Sequence, residues 1–345
     1  MVNQRTLSSI TLVSLLIFIT VCSKNESITG TKREPSRWEI LTSTPIKSTV
    51  PSATDIFFFD ETNGLSLNVD EIKSTNNGGR TWDDLYRFDK KTVHSLVFTN
   101  DNIAWSIGAE FSTNKVDRPF VTNSKDRGVS WQEVRISQEN SEKVKQFTIF
   151  YDICFSSPKK GWIVGDDGIL EVLIDGQNMR IVNQSFAKEK LYSAACGNNG
   201  EVWCTGERGQ IYHFQNGWNK KQLDKTYFFQ KVKLIGNDIW LLGYKRLSEN
   251  GDIAGLLLRS KDKGTSWEDK TPENIRFYSD VYLEKGEGWL VGSGGNIYYS
   301  KDHGDSWNNF KSPTKNNLAN IFFLNKNNIW IGGDNQTILK FQPNN

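Results

Sequence analysis

Seven times along the chain a short apolar strand is followed by a polar turn, a bulky apolar residue and, soon after, a glycine. The stretches are DIFFFDETNGLSLN (55–68), VHSLVFTNDNIAWSIG (93–108), YDICFSSPKKGWIVG (151–165), LYSAACGNNGEVWCTG (191–206), FQKVKLIGNDIWLLG (229–243), YSDVYLEKGEGWLVG (278–292) and ANIFFLNKNNIWIGG (319–333). Aligned on Leu65, Trp105, Trp162, Trp203, Trp240, Trp289 and Trp330, they recur at intervals of 40, 57, 41, 37, 49 and 41 residues. A unit this small cannot bury its apolar face alone, so such units must stack on one another. A period of roughly forty residues, with about four short strands per unit, is what a β-propeller blade needs. The pattern predicts an all-β fold, a seven-bladed β-propeller.

A second pattern runs out of phase with the first. The octet Ser/Thr-x-Asp/Asn-x-Gly-x-Ser/Thr-Trp occurs at Thr75–Trp82, Ser124–Trp131, Ser260–Trp267 and Ser300–Trp307. Its chemistry is that of a tight hairpin turn. The side chain of Asn77, Asp126, Asp262 or Asp302 accepts N–H bonds inside the turn. Gly79, Gly128, Gly264 or Gly304 supplies a positive φ without a Cβ clash. A hydroxyl residue and Trp82, Trp131, Trp267 or Trp307 then begin the returning strand, where the indole has a large surface to bury. Units without the full octet keep remnants, IDGQ at 174–177 and QNGW at 215–218.

The two ends of the chain fit together. The seventh unit stops after ILKF (338–341), without its turn motif or outermost strand, while RWEIL (37–41) looks like the strand that follows the motif elsewhere. An N-terminal strand completing the last blade would close the ring and pair two strand edges that otherwise stay open. Closure places Trp38 where Trp131, Trp267 and Trp307 sit.

Composition narrows the possible functions. The 345 residues carry a formal net charge of +2 with 24% charged side chains, a poor electrostatic footprint for nucleic acid. The 12 tryptophans are expected to wedge blades together rather than to stack on a ligand. Arg5 and the apolar run Ile10–Cys22 read as an export signal, too short to span a bilayer comfortably. ITVC followed by Ser23 and Lys24 resembles a bacterial lipoprotein cleavage box with Cys22 as the acylated residue, although Val21 stands where Gly, Ala or Ser is usual. Ordinary secretion and an uncleaved anchor are the alternatives to lipidation. The organisation expected is a signal peptide over 1–22, a polar tether over 23–36 and the propeller over 37–342. Cys154, Cys196 and Cys204 remain inside the ring. Cys154 and Cys196 fall on first strands of adjacent units, and a turn at Asn198-Asn199 would set Cys204 opposite Ser193. Three buried free thiols are the expectation.

Catalytic chemistry finds little support. The turn octets resemble those of sialidases, which carry them on a six-bladed propeller. That resemblance implies an arginine cluster, a Tyr–Glu nucleophile pair and an acidic proton donor. The chain has no Arg-Ile-Pro segment ahead of its first octet, only Arg118-Pro119 ahead of the second, and no two carboxylates stand out as a glycosidase pair. His94, His213 and His303 are far apart and have no metal-ligand spacing. Asp beside Lys in the SKD turns reads as a turn cap, not an ion site. GSGG at 292–295 lacks the lysine and the strand–helix setting of a phosphate loop. No catalytic residue, cofactor or metal site is expected.

The closer resemblance is to the photosystem II stability and assembly factor family. It is carried by GWIVGDDGIL (161–170) and by GWLVGSGGNIYYSKDHGDSW (288–307), in which a Gly-Trp-x-Val-Gly strand precedes the same Asp-box turn. The resemblance covers essentially residues 37–342. It implies an exported seven-bladed propeller that binds a membrane-protein precursor in photosynthesis and performs no catalysis.

Loop lengths suggest where a partner would dock. Ala109–Pro119, Tyr244–Gly255 and Arg135–Gln146 read as insertions, two between second and third strands and one between units, so all three leave the same face. Loops on a rigid scaffold are where binding residues concentrate. Lys115, Arg118, Lys143, Lys145, Lys245 and Arg246 would make that face basic. The expectation is an exported, membrane-tethered, monomeric protein-binding scaffold, with a carbohydrate-binding or sialidase-like envelope propeller as the alternative.

Overall fold

Every repeat unit folds into one antiparallel sheet whose first strand lies innermost, and seven such sheets form a propeller. The computed structural model describes residues 36–42, 54–112, 115–138, 149–166, 168–175, 178–186, 189–197, 199–272 and 275–343. Blades 1 to 6 occupy 54–87, 91–133, 150–186, 191–222, 227–269 and 278–310, and blade 7 joins 318–342 to the N-terminal strand Arg37–Thr42. Strands are lettered A to D outward from the central channel. The A strands are Thr54–Phe58, Lys91–Phe98, Phe150–Ser157, Leu191–Cys196, Tyr227–Ile235, Tyr278–Glu284 and Leu318–Asn325.

The ring closes as the ends predict. Arg37–Thr42 pairs antiparallel with Thr337–Gln342, with Trp38 opposite Phe341. Trp38 is 3% exposed and meets Trp289 of blade 6 edge-to-face at 5.0 Å.

The octets form the C–D turns and lock each blade onto the one before it. In blade 5, Asp262 accepts the Ser266 N–H at 2.8 Å and the Ser260 hydroxyl at 2.8 Å, while the Gly264 N–H donates to Ser260 Oγ. The octet glycines take φ of 93°, 86°, 77° and 79°. Arg127, Lys263 and His303 just ahead of three of them are also left-handed. This double left-handed turn sets the glycine against the anchor of the preceding blade. A Cβ on Gly264 would lie 2.6 Å from the Trp203 ring, on Gly304 2.6 Å from Trp240, and on Gly128 2.7 Å from Leu65. In blade 1 the Gly78 carbonyl accepts Trp330 Nε1–H at 3.0 Å. An octet of one blade thus seals the preceding blade's core, and at Gly128, Gly264 and Gly304 only glycine fits at that contact.

Four expectations need correction. Ala109–Pro119 is not a loop: strands Ala104–Ser112 and Lys115–Ser124 continue through it, pairing Glu110 with Arg118 and Ser112 with Lys115. Tyr244–Gly255 is half strand, paired as far as Arg246 with Ile253, and only 247–252 form the loop. Arg135–Gln138 is a strand that crosses to the outer edge of blade 3 and pairs parallel with Asn178–Phe186. The cysteines are not all free. Cys154 and Cys196 form a disulfide between the A strands of blades 3 and 4, with Cα atoms 5.6 Å apart, and among the described residues only Cys204 is a buried free thiol. The turn between strands A and B of blade 4 spans Gly197–Glu201, one residue wider than a turn at Asn198-Asn199. Cys204 therefore faces Ala194, not Ser193. The leader, Cys22, Lys143 and Lys145 lie outside the described residues. Among the described residues no helix is long and apolar enough to cross a membrane.

Candidate functional site

All seven A strands line a central cavity of about 910 Å³. Their register places one polar residue per blade at the same height: Asp55, Ser95, Asp152, Ser193, Lys231, Asp280 and Asn320. Each lies two residues before the one paired with its blade's anchor. In blades 2 to 7 the pairing slips just ahead of this residue, and such a bulge re-aims side chains.

The girdle ties neighbouring blades together by hydrogen bonds. Asp152 receives Ser95 Oγ–H at 2.8 Å from blade 2, and Ser193 Oγ–H and the Ala194 N–H at 3.0 Å each from blade 4. Ser193 Oγ in turn accepts the Val232 N–H of blade 5. Asp280, 1% exposed, accepts the Ile321 N–H of blade 7 at 2.8 Å and pairs with Lys233 at 2.7 Å and Lys231 at 3.4 Å. Asn320 donates to the Ile56 carbonyl of blade 1.

Burial and charge compete at these groups. Burial would push Asp280 up, but the two lysines hold its carboxyl below the usual carboxylate range. Burial opposes the Lys231 ammonium, yet Asp280, Asp55 and Asp152 together keep its pKa above that of an ordinary lysine. Burial wins at Lys233 and lowers it. It also raises the Asp55 and Asp152 carboxyls, for which the coulombic help of Lys231 is too little. A charge removed from water is costly unless paired, so this wall is selective about what it meets.

One mouth of the channel is aromatic. Tyr151 meets Tyr192 at 5.1 Å, Phe228 stacks on Tyr244 at 5.2 Å, and the Tyr192 hydroxyl donates to Glu207 at 2.6 Å. Lys245 and Arg246 follow Tyr244 directly, and the Arg246 guanidinium sits 4.4 Å from the Phe228 ring centre. Arg118 stands elsewhere, on strand C of blade 2, paired with Glu110 and Glu133 at 2.7 Å each. Of the expected basic residues, Arg118 thus stands on blade 2, and Lys245 and Arg246 on blade 5. Of the three histidines, His94 contacts the Phe150 carbonyl in the channel wall, His213 stacks on Trp203, and His303 is an exposed turn residue.

The girdle itself went unread in the sequence, although its signal was present. A polar residue stands nine or ten positions ahead of every anchor, from Asp55 before Leu65 to Asn320 before Trp330. The apolar neighbours of these residues dominate the pattern and hide it.

Residues 269–342 match the family model described as photosynthesis system II assembly factor YCF48. The photosystem II assembly lipoprotein Ycf48 of a Synechococcus species is 23% identical over 198 residues, which make up 52% of this chain and 55% of the relative. That of a Picosynechococcus species is 25% identical over 213 residues, 55% of this chain and 58% of the relative. The chain thus spans a little over half the length of these curated relatives. A solved YCF48 bound to a D1 peptide superposes with a TM-score of 0.63 at 17% identity, covering 90% of this chain and 98% of that one. YCF48 from Cyanidioschyzon merolae gives 0.63 at 18% identity over 88% and 98%. In its repeat signature and its propeller fold, the chain is similar to Ycf48.

Proposed function

We propose that this propeller is an exported, membrane-tethered assembly factor without catalytic activity of its own, which holds an extended segment of a membrane-protein client during assembly. One observation carries the reading: a solved YCF48 whose fold matches 90% of this chain holds a D1 peptide. The lipoprotein naming of the curated relatives supports the tether and an extracytoplasmic location, with Cys22 as the acylated residue. The channel supports a peptide client because its wall offers aromatic faces at the mouth and paired charges within. Lys245 and Arg246, beside Tyr244, are the basic residues placed to meet the client first. Arg118 serves its two glutamates and contributes less.

A tagged full-length copy tests this reading. It is expected to co-purify with membrane proteins and to bind a D1-derived peptide, and K245E with R246E is expected to weaken capture while the thermal midpoint holds. Turnover of a fluorogenic glycoside, abolished by one carboxylate substitution, would replace this reading with an enzyme.

A further inference from the structure

The three carboxyls of the channel girdle are unequally satisfied, and the difference sits at one residue. Asp280 is met by Lys231, Lys233 and two backbone N–H groups, those of Val281 and Ile321. Asp152 is met by two hydroxyls and the Ile153 and Ala194 N–H groups. Asp55 also faces the cavity, yet no described residue donates a hydrogen bond to its carboxylate. Its neighbours around the ring have turned their donors elsewhere. The Ser95 hydroxyl goes to Asp152 and the Asn320 amide to the Ile56 carbonyl. Lys231 acts on Asp55 through charge but donates it no hydrogen bond, so Asp55 is the girdle carboxyl with unused acceptor capacity.

The surroundings define what would fit. No group of three or more His, Cys, Asp or Glu among the described residues is placed to hold a metal ion, which argues for an organic cation. The cavity lining includes Leu67, which pairs with Asp55, and Val69, Val93 and Phe57, the last stacked on Phe98 at 4.1 Å. A positive head with an aliphatic stem suits such a wall, the stem against carbon and the head on the carboxylate. We propose that Asp55 is the receptor of a cation well that takes one ammonium or guanidinium group, carried on a lysine or arginine side chain entering the channel. That the side chain belongs to a client peptide rests on the preceding reading; the chemistry of the well does not.

The test uses the purified full chain and two capped tripeptides that differ only in a central lysine or norleucine. Calorimetric titration is expected to show the lysine peptide binding about tenfold more tightly, and Asp55→Asn is expected to erase the preference. Should Asp55→Asn fail to fold, carbodiimide coupling of the lysine peptide to the unmodified protein is expected to attach it at Asp55, as mapped by mass spectrometry. Equal affinity for the two peptides, a preference that survives Asp55→Asn, or coupling only at other carboxylates overturns the proposal. The two readings fail separately. Client capture that Asp55→Asn leaves intact, with no lysine preference, removes the well and keeps the assembly factor. A lysine preference without any client capture does the reverse.

Discussion

The seams between blades are of two kinds, and they are held differently. At the 1/2, 4/5 and 5/6 seams an Asp-box turn seats its glycine against the preceding blade's anchor, at the 7/1 seam the Gly78 carbonyl takes the Trp330 indole N–H, and further contacts share the load. Lys221 of blade 4 donates to the Gly264 and Thr265 carbonyls at 2.8 Å each, and Arg259 of blade 5 bonds Asp305 of blade 6 at 3.0 Å. The 2/3, 3/4 and 6/7 seams have no box. Each has a distinct staple instead: a strand crossing from blade 2 to the edge of blade 3, the Cys154–Cys196 disulfide, and the N-terminal strand bearing Trp38. A box spreads the stabilisation over many modest contacts, whereas a staple concentrates it. Single changes should therefore cost more at stapled seams.

The largest effect is expected at the 6/7 seam. Trp38→Ala removes a buried indole from the closing strand and should lower unfolding free energy by about 3–5 kcal/mol in urea melts. At the 3/4 seam, reduction or the C154S/C196S pair releases a loop with a sequence separation of 42 and should cost about 2–4 kcal/mol. A boxed seam should lose less. Ser266→Ala removes one hydroxyl bond to Asp262, a cost of about 0.5–1.5 kcal/mol by thermal denaturation. A loss there as large as that of Trp38→Ala would erase the distinction.

The smallest effect is the pH dependence that the boxes contribute. Hydrogen bonds from Ser266 and Ser306 bring the Asp262 and Asp302 carboxyls down to about 2. The folded carboxyl ionises at lower pH than the unfolded one, near 4. The box contribution is therefore full above pH of about 4 and is lost as pH falls through about 2. Midpoints of the parent and Asp302→Asn, measured across this range, should converge at the acid end. A constant gap would mean that the carboxylate charge plays no part in the turn.

Much of this was legible in the sequence because the boxes are local. Asp262, Gly264 and Trp267 write their turn within one octet, and the anchors from Leu65 to Trp330 count the blades. The closing strand was legible because RWEIL lacks a partner at one end of the chain and ILKF at the other. The other two staples were not, because they depend on register and path. One extra turn residue in Gly197–Glu201 decides which residue faces Cys204, and nothing in RISQ (135–138) announces that it leaves its own sheet for the next. The girdle lay hidden for another reason. Asp55, Lys231 and Asn320 differ in charge and size, so only the three-dimensional register shows that they share one height.

Hydrogen exchange across the 3/4 seam, with and without a reductant, tests the two-seam account most directly. On reduction, amides in Phe150–Ser157 and Leu191–Cys196 should lose protection, while those of Tyr227–Ile235 and Tyr278–Glu284 at the boxed 5/6 seam keep theirs. Unchanged protection in blades 3 and 4, or an equal loss around the whole ring, would contradict it.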